Sequence, residues 1–223
     1  MSQADLITLT DPRSPVSEAY RTLRTSLEFS GLDRPLHSLL VTSPATDDGK
    51  ATILANLAVI MAEGGRQVIL VEGDLRKPAL HDVFGVDNDI GLSNLIQSDA
   101  APDDLFLQAS GIDGLKLLTS GPQSSNPSVL LGSERMKTLI QALTEQAGLV
   151  LVSAPPVIAV TDAALLAAQV DGTLLIVRAG GTEREHVRRA KALLDKVNAR
   201  LVGAVLANVN RDSVLVNYYK ERV

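Results

Sequence analysis

The sequence predicts a single doubly wound α/β domain, with a mostly parallel sheet and helices on both of its faces. Six short apolar runs recur along the 223 residues, most of them apolar on consecutive positions, the pattern of strands buried on both sides. Stretches with apolar residues at helical spacing separate these runs, and strand–helix alternation is what a parallel sheet requires. The length suits one large core, and no internal repeat interrupts it.

Residues 1–13 are polar, end in Asp11-Pro12 and read as a short arm. A helix is expected over about 15–29, with Pro15 in its first turn and Glu18 following. It carries Glu18, Arg21 and Arg24 at three-residue spacing, with Leu23 and Leu27 on its other side. SLLVTS (38–43) is the first strand. Residues 51–63 then repeat apolar positions at Ile53, Leu54, Leu57, Ile60 and Met61 until Gly64-Gly65 closes the helix. QVILVEGD (67–74) is the second strand. Residues 86–127 are looser, with a short helix near 91–97, a strand at LKLLTS (115–120) and a loop at GPQSSNPS (121–128). A helix at about 133–147 leads into the strand LVLVS (149–153), which Ala154-Pro155-Pro156 breaks. Helix 161–169, strand 172–177, helix 183–197 and strand 201–208 complete a domain taken as 14–212. Residues 213–223 form a tail carrying Tyr218 and Tyr219.

Composition is that of an ordinary soluble protein, 45% hydrophobic and 21% charged, and aromatics are so scarce that Leu, Val, Ile and Ala must build the core. The net charge of −5 gives no footprint for nucleic acid, although Arg184, Arg188, Arg189 and Lys191 form a local basic patch. The absence of cysteine excludes disulfides, zinc–thiolate sites and thiol catalysis. The N-terminus lacks the basic and apolar regions of a signal peptide. No stretch approaches the roughly 20 apolar residues that cross a bilayer. A cytoplasmic chain is expected, with any membrane connection running through a partner.

A strand, a loop of small residues and then Gly49-Lys50 at a helix start is the arrangement of a phosphate-binding P-loop. Backbone N–H groups at the helix start point at an anion, the helix dipole favours negative charge, and the lysine reaches the terminal phosphates. The loop reads Pro44-Ala45-Thr46-Asp47-Asp48-Gly49-Lys50-Ala51-Thr52. Pro44 replaces the usual first glycine, Ala51 replaces the Ser or Thr after the lysine, and Asp47 and Asp48 sit where a polyphosphate approaches. Gly-Lys alone is also compatible with an ordinary βα turn whose lysine is solvated.

SPVSEAYRTLRTSLEFS (14–30), VTSP…GK (41–50), VILVEGDLRKPALHDVFG (68–85), NPSVLLGS (126–133), APPVIAVTDA (154–163) and VDGTLLIVRAG (170–180) follow one another in a characteristic order. In this the chain resembles the bacterial tyrosine kinases (BY-kinases), cytoplasmic autokinases of capsule and exopolysaccharide synthesis, from about Ser14 to Asn210. The resemblance implies a P-loop NTPase fold and an ATP or ADP site built on Thr46, Asp47, Asp48, Gly49, Lys50, Ala51 and Thr52. It assigns the reaction to Lys50, Glu72 and Asp74, with Asp74 and Glu72 as metal ligands. It matches Glu18, Arg21 and Arg24 to the ExxRxxR motif through which family members assemble, the alternative being a solvated helix face with intrahelical ion pairs. Tyr218 and Tyr219 stand where a phospho-acceptor tyrosine cluster is found. A membrane adaptor of the polysaccharide co-polymerase type, further copies or a sibling kinase are the implied partners, placing the chain peripherally at the inner face of the membrane.

Three positions that serve Mg²⁺ in that family are changed here. Ala51 stands in place of a ligating hydroxyl, Ser153 in place of the Walker B aspartate, and Glu72 in place of the first aspartate of the DxD motif whose second is Asp74. Mg²⁺ demands near-ideal octahedral oxygen ligation, so this loss argues against its retention. Ala207 stands where an asparagine reads adenine, with Asn208 one residue later. Two readings follow: a catalytically impaired regulatory or scaffolding member, or an active ATP-dependent autokinase. A partitioning-type ATPase is a third, with no place for SEAYRTLRT or the tail tyrosines.

Overall fold

The computed structural model describes residues 6–46, 48–98 and 106–209. Seven strands form one sheet: β1 (Ser38–Thr42), β2 (Val68–Glu72), β3 (Gln108–Ala109), β4 (Leu115–Leu118), β5 (Leu149–Ser153), β6 (Gly172–Arg178) and β7 (Leu201–Ala207), in the order β3-β4-β2-β5-β1-β6-β7. All neighbours pair in parallel except the two-residue β3, which runs antiparallel to β4. The expected architecture is the observed one.

Alternation along each strand divides the sheet between two cores. Leu39, Val41, Leu70 and Leu151 face α1 (Ile7–Thr10), α2 (Pro15–Ser30), α3 (Lys50–Glu63) and α4 (Leu80–Phe84). Leu40, Ile69, Val71, Val150 and Val152 face the other layer, α5 (Leu92–Gln97), α6 (Pro127–Leu131), α7 (Glu134–Gln146), α8 (Asp162–Ala167) and α9 (Arg184–Lys196). Burial on both faces explains why these strands read as continuous apolar runs. α3 is buried around its whole circumference from Ile53 to Ala62, as befits a central helix under the sheet.

Residues 6–10, read from sequence as part of a polar arm, belong to the packed domain. Leu6 is fully buried, and Thr8 donates from its N–H (3.1 Å) and hydroxyl (2.8 Å) to Oδ1 of Asn56, itself buried in the middle of α3. Ser14 then caps α2 by accepting from the Ser17 N–H at 3.1 Å. Four short elements were not anticipated: α1, α4, α6 and β3. No helix among the described residues is long and apolar enough to cross a membrane.

Candidate nucleotide site

The switch point of this sheet lies between β1, from which the chain moves to β2 on one side, and β6, from which it moves to β7 on the other, and doubly wound folds bind ligands at the carboxyl ends of strands beside such a point. The phosphate loop leaves β1 there and turns into α3. Gly49 makes that turn with φ of 74°, a left-handed conformation that a side chain strains, and it is the residue preceding the helix. The first N–H groups of a 14-residue helix are thereby presented to the site.

Lys50, largely buried, holds its Nζ 3.7 Å from Oδ2 of Asp74, so the structure brings together two of the three expected reaction residues. Asp74 uses Oδ1 to accept from the N–H groups of Arg76 (3.2 Å) and Lys77 (3.0 Å). Thr46 is exposed and Ala51 and Thr52 are half-buried on the loop and first turn. Asp48 is buried and faces away from solvent. Its Oδ1 accepts from the Thr182 hydroxyl at 2.7 Å, and its Oδ2 from the Ala45 N–H at 3.3 Å. Of the two carboxylates expected to meet an incoming polyphosphate, Asp48 is thus a tether to the β6–α9 loop. Asp47 lies outside the described residues, as do Tyr218 and Tyr219.

Glu72 is buried beside Ser153, its register partner on β5. Its Oε1 accepts from the Asp74 N–H at 3.1 Å, and its Oε2 accepts from the N–H groups of Ala79 (2.8 Å) and Leu80 (3.0 Å) at the start of α4. Both oxygens are therefore engaged in folding the 73–80 segment. Gly73 passes so close to β5 that a Cβ there would lie 2.5 Å from the Ser153 carbonyl oxygen. The start of α3 and Lys50 offer N–H groups to a phosphate, and Asp74 keeps Oδ2, which faces Lys50, clear of backbone N–H groups. Among the described residues no group of three or more His, Asp or Glu side chains is placed to hold a metal ion.

Burial raises the Glu72 carboxyl above its ordinary value, against the opposing pull of the three N–H groups and Lys50. A carboxyl raised in the folded state binds more protons there than in the unfolded chain, so stability falls as pH rises past the ordinary value near 4.5. Urea denaturation from pH 4.5 upward should show the wild-type chain losing stability relative to Glu72→Gln; parallel curves would contradict the assignment.

A second polar cluster, absent from the sequence reading, locks the loops around the site. Asp162, fully buried at the start of α8, receives Nε of Arg76 on Oδ2 (2.8 Å) and Nη2 on Oδ1 (3.1 Å). Ser128 on α6 donates to the same Oδ1 at 2.7 Å and lies 3.0 Å from Arg76 Nη2. The bond to Asp162 raises the Arg76 guanidinium above its usual value. The signal was present in the sequence, since Arg76 and Asp162 sit inside DLRKP and VTDA.

On α2, Glu18 pairs with Arg21 at 3.1 Å, and Arg21 also donates to the Pro12 carbonyl at 2.7 Å. Arg24 turns inward and donates to the Ile60 carbonyl near the end of α3 at 3.1 Å, over Gly64, where a Cβ would meet its Nη1 at 2.7 Å. The motif's three residues therefore do not present one common free face. At the end of β7, Ala207 pairs with Arg178, and Asn208 follows at φ of 57°, exposed.

Residues 39–222 match the CobQ/CobB/MinD/ParA nucleotide binding domain (CbiA). The tyrosine-protein kinase YwqD of Bacillus subtilis is 39% identical over 204 residues, spanning 92% of this chain and 86% of that protein. The chain belongs to the bacterial tyrosine-kinase family. Within the BY-kinases, the putative tyrosine-protein kinase CapB of Staphylococcus aureus is 34% identical over 94% of this chain and 92% of its own length. The kinase domain of the Escherichia coli tyrosine kinase ETK superposes with a TM-score of 0.88 at 30% identity, covering 93% of this chain and 81% of that domain. The resemblance drawn from the motifs is confirmed by these matches, and the BY-kinase fold accounts for the site's position.

Proposed function

We propose that this chain is a catalytically impaired BY-kinase-like protein of exopolysaccharide or capsule synthesis and export, acting as a regulatory or scaffolding member. One observation carries the reading: Glu72, the carboxylate at the first metal position, spends both oxygens on the N–H groups of Asp74, Ala79 and Leu80. Ser153 beside it carries no charge, and the Ala51 side chain has no oxygen. Phosphoryl transfer depends on positioning and on neutralising the phosphates, work that the metal ion shares. ATP or ADP fits the intact part of the site, where Lys50, the Gly49 turn and the start of α3 would hold phosphates. A membrane adaptor of the polysaccharide co-polymerase type is the proposed partner. Glu18 and Arg21 are the members of the α2 motif placed to meet a second copy or a sibling kinase, while Arg24 braces α3.

The retained Lys50–Asp74 pair favours the second reading, an active autokinase whose acceptors are Tyr218 and Tyr219. Incubation with labelled ATP and Mg²⁺ separates the two. The impaired reading expects no phosphotyrosine above background; robust labelling that disappears in Lys50→Ala would establish the autokinase.

A further inference from the structure

We infer that the solvent face of α9, together with the uncovered end of β7 beside it, is a docking surface for an anionic lipid bilayer. A third of the chain's 21 Lys and Arg residues fall within 178–200, although the chain as a whole has a net charge of −5. α9 spends its apolar side on the core, where Ala190 and Leu194 are buried. Arg184, Arg188 and Lys191 recur at helical spacing on its solvent side, flanked by Arg189 and Lys196, and all five are exposed. Lys191 is held by Asp195 at 2.7 Å. Among the described residues no ion pair engages Arg184, Arg188, Arg189 or Lys196.

Beside this basic face the sheet is left open. Ala204 and Leu206 of β7 stand in register with Leu175 and Val177 of β6, and register partners share a face of the sheet. Leu175 and Val177 belong to the core on the α9 side, so Ala204 and Leu206 face the same way as α9. Both are nevertheless exposed, Leu206 at 56%, because β7 is the border strand; Val209 just beyond is 58% exposed. The surface is therefore a short apolar strip edged by arginines. The phosphates of a nucleic acid would satisfy the arginines and leave the strip in water. A bilayer satisfies both, since headgroup phosphates meet the guanidinium groups while Leu206 and Val209 enter the boundary with the acyl chains. The contact needs neither nucleotide nor an adaptor, so it stands or falls separately from the impaired-kinase reading.

Vesicle flotation of the full chain, without nucleotide, tests this. In about 0.1 M salt the chain should float with phosphatidylcholine vesicles containing about one-third phosphatidylglycerol, and not with phosphatidylcholine alone. In about 1 M salt, where the Debye length is about 3 Å, most of that binding should be lost. Each basic side chain at an anionic surface contributes about fivefold in partition, so Arg184→Gln with Arg188→Gln should weaken binding about 25-fold. Lys116→Gln with Lys137→Gln removes the same charge from other exposed positions and should leave binding within about twofold of wild type. Leu206→Ser leaves the charge unchanged and should also weaken binding. Circular dichroism confirms that each variant is folded, and the comparison of the two vesicle types needs no variant. The inference is overturned if the wild-type chain ignores anionic vesicles or binds neutral ones equally well. It is equally overturned if the two double variants weaken binding alike, if Leu206→Ser binds as the wild-type chain does, or if duplex DNA is bound through the same arginines as tightly as the anionic vesicles.

Discussion

Replacing Arg76 by alanine will lower the stability of the domain by about 3 kcal/mol, at the lower end for a broken buried ion pair because Arg76 itself is 39% exposed. The loss falls on Asp162, which is fully buried and keeps only the Ser128 hydroxyl from its side-chain partners. An unpaired carboxylate cannot remain charged in that buried position without cost. The effect will reach the site, because the backbone N–H of Arg76 is also one of the two donors that orient Asp74. Urea unfolding at constant slope measures the first effect. Pairing Arg76→Met with Asp162→Leu should recover much of the stability, since it removes both charges. A single variant within about 0.5 kcal/mol of wild type would show that solvent replaces the guanidinium freely.

On the impaired reading, Ala51→Ser combined with Ser153→Asp will make nucleotide binding by the chain respond to Mg²⁺. Ser153 sits in register with Glu72, so an aspartate there places two buried carboxylates side by side. Without a cation, that repulsion raises the pKa of the pair and destabilises the fold. With Mg²⁺ and ATP the same pair becomes a ligand set, joined by the new hydroxyl on α3. The readout is the melting temperature: Mg²⁺ with ATP should raise it clearly in the double variant and little in the wild-type chain. Ligand at a hundred times its Kd contributes about 2.7 kcal/mol, which a small domain reports as several degrees. An equal response in both chains would mean that Asp74 and Glu72 already suffice, and the impaired reading would fall. No response in either would locate the defect beyond these positions.

The fold was legible where burial imposes a period. Strands buried on both faces could only be apolar throughout, and α7 and α9 bury one stripe each, so their boundaries lie within a residue or two of those read from sequence. The short α4, α6 and β3 escaped because five residues or fewer give no period to count. Leu6 escaped because Leu6, Ile7 and Leu9 are too few apolar positions to set a period. Lys50 and Asp74 were legible through motifs whose chemistry is local. The use made of Glu72 was not, because its partners are backbone N–H groups, which are the same for every sequence. The Asp48–Thr182 bond joins residues 134 apart, and the Arg76–Asp162 pair residues 86 apart. Such pairings depend on loops that only the folded sheet brings together.

The contact between Thr8 and Asn56 bears on how the protein should be handled at the bench. The family motifs begin at Ser14, and a plasmid boundary drawn there would look harmless. It would strip Leu6 from the face of α3 and withdraw both donors from the Asn56 carbonyl, in the helix that carries Lys50. A fully buried leucine is worth about 1.5–3 kcal/mol, and an orphaned buried acceptor costs a further 1–3 kcal/mol. A shortened preparation that failed to hold nucleotide would therefore say nothing about the chemistry of the phosphate loop, only that its supporting helix had lost a splint.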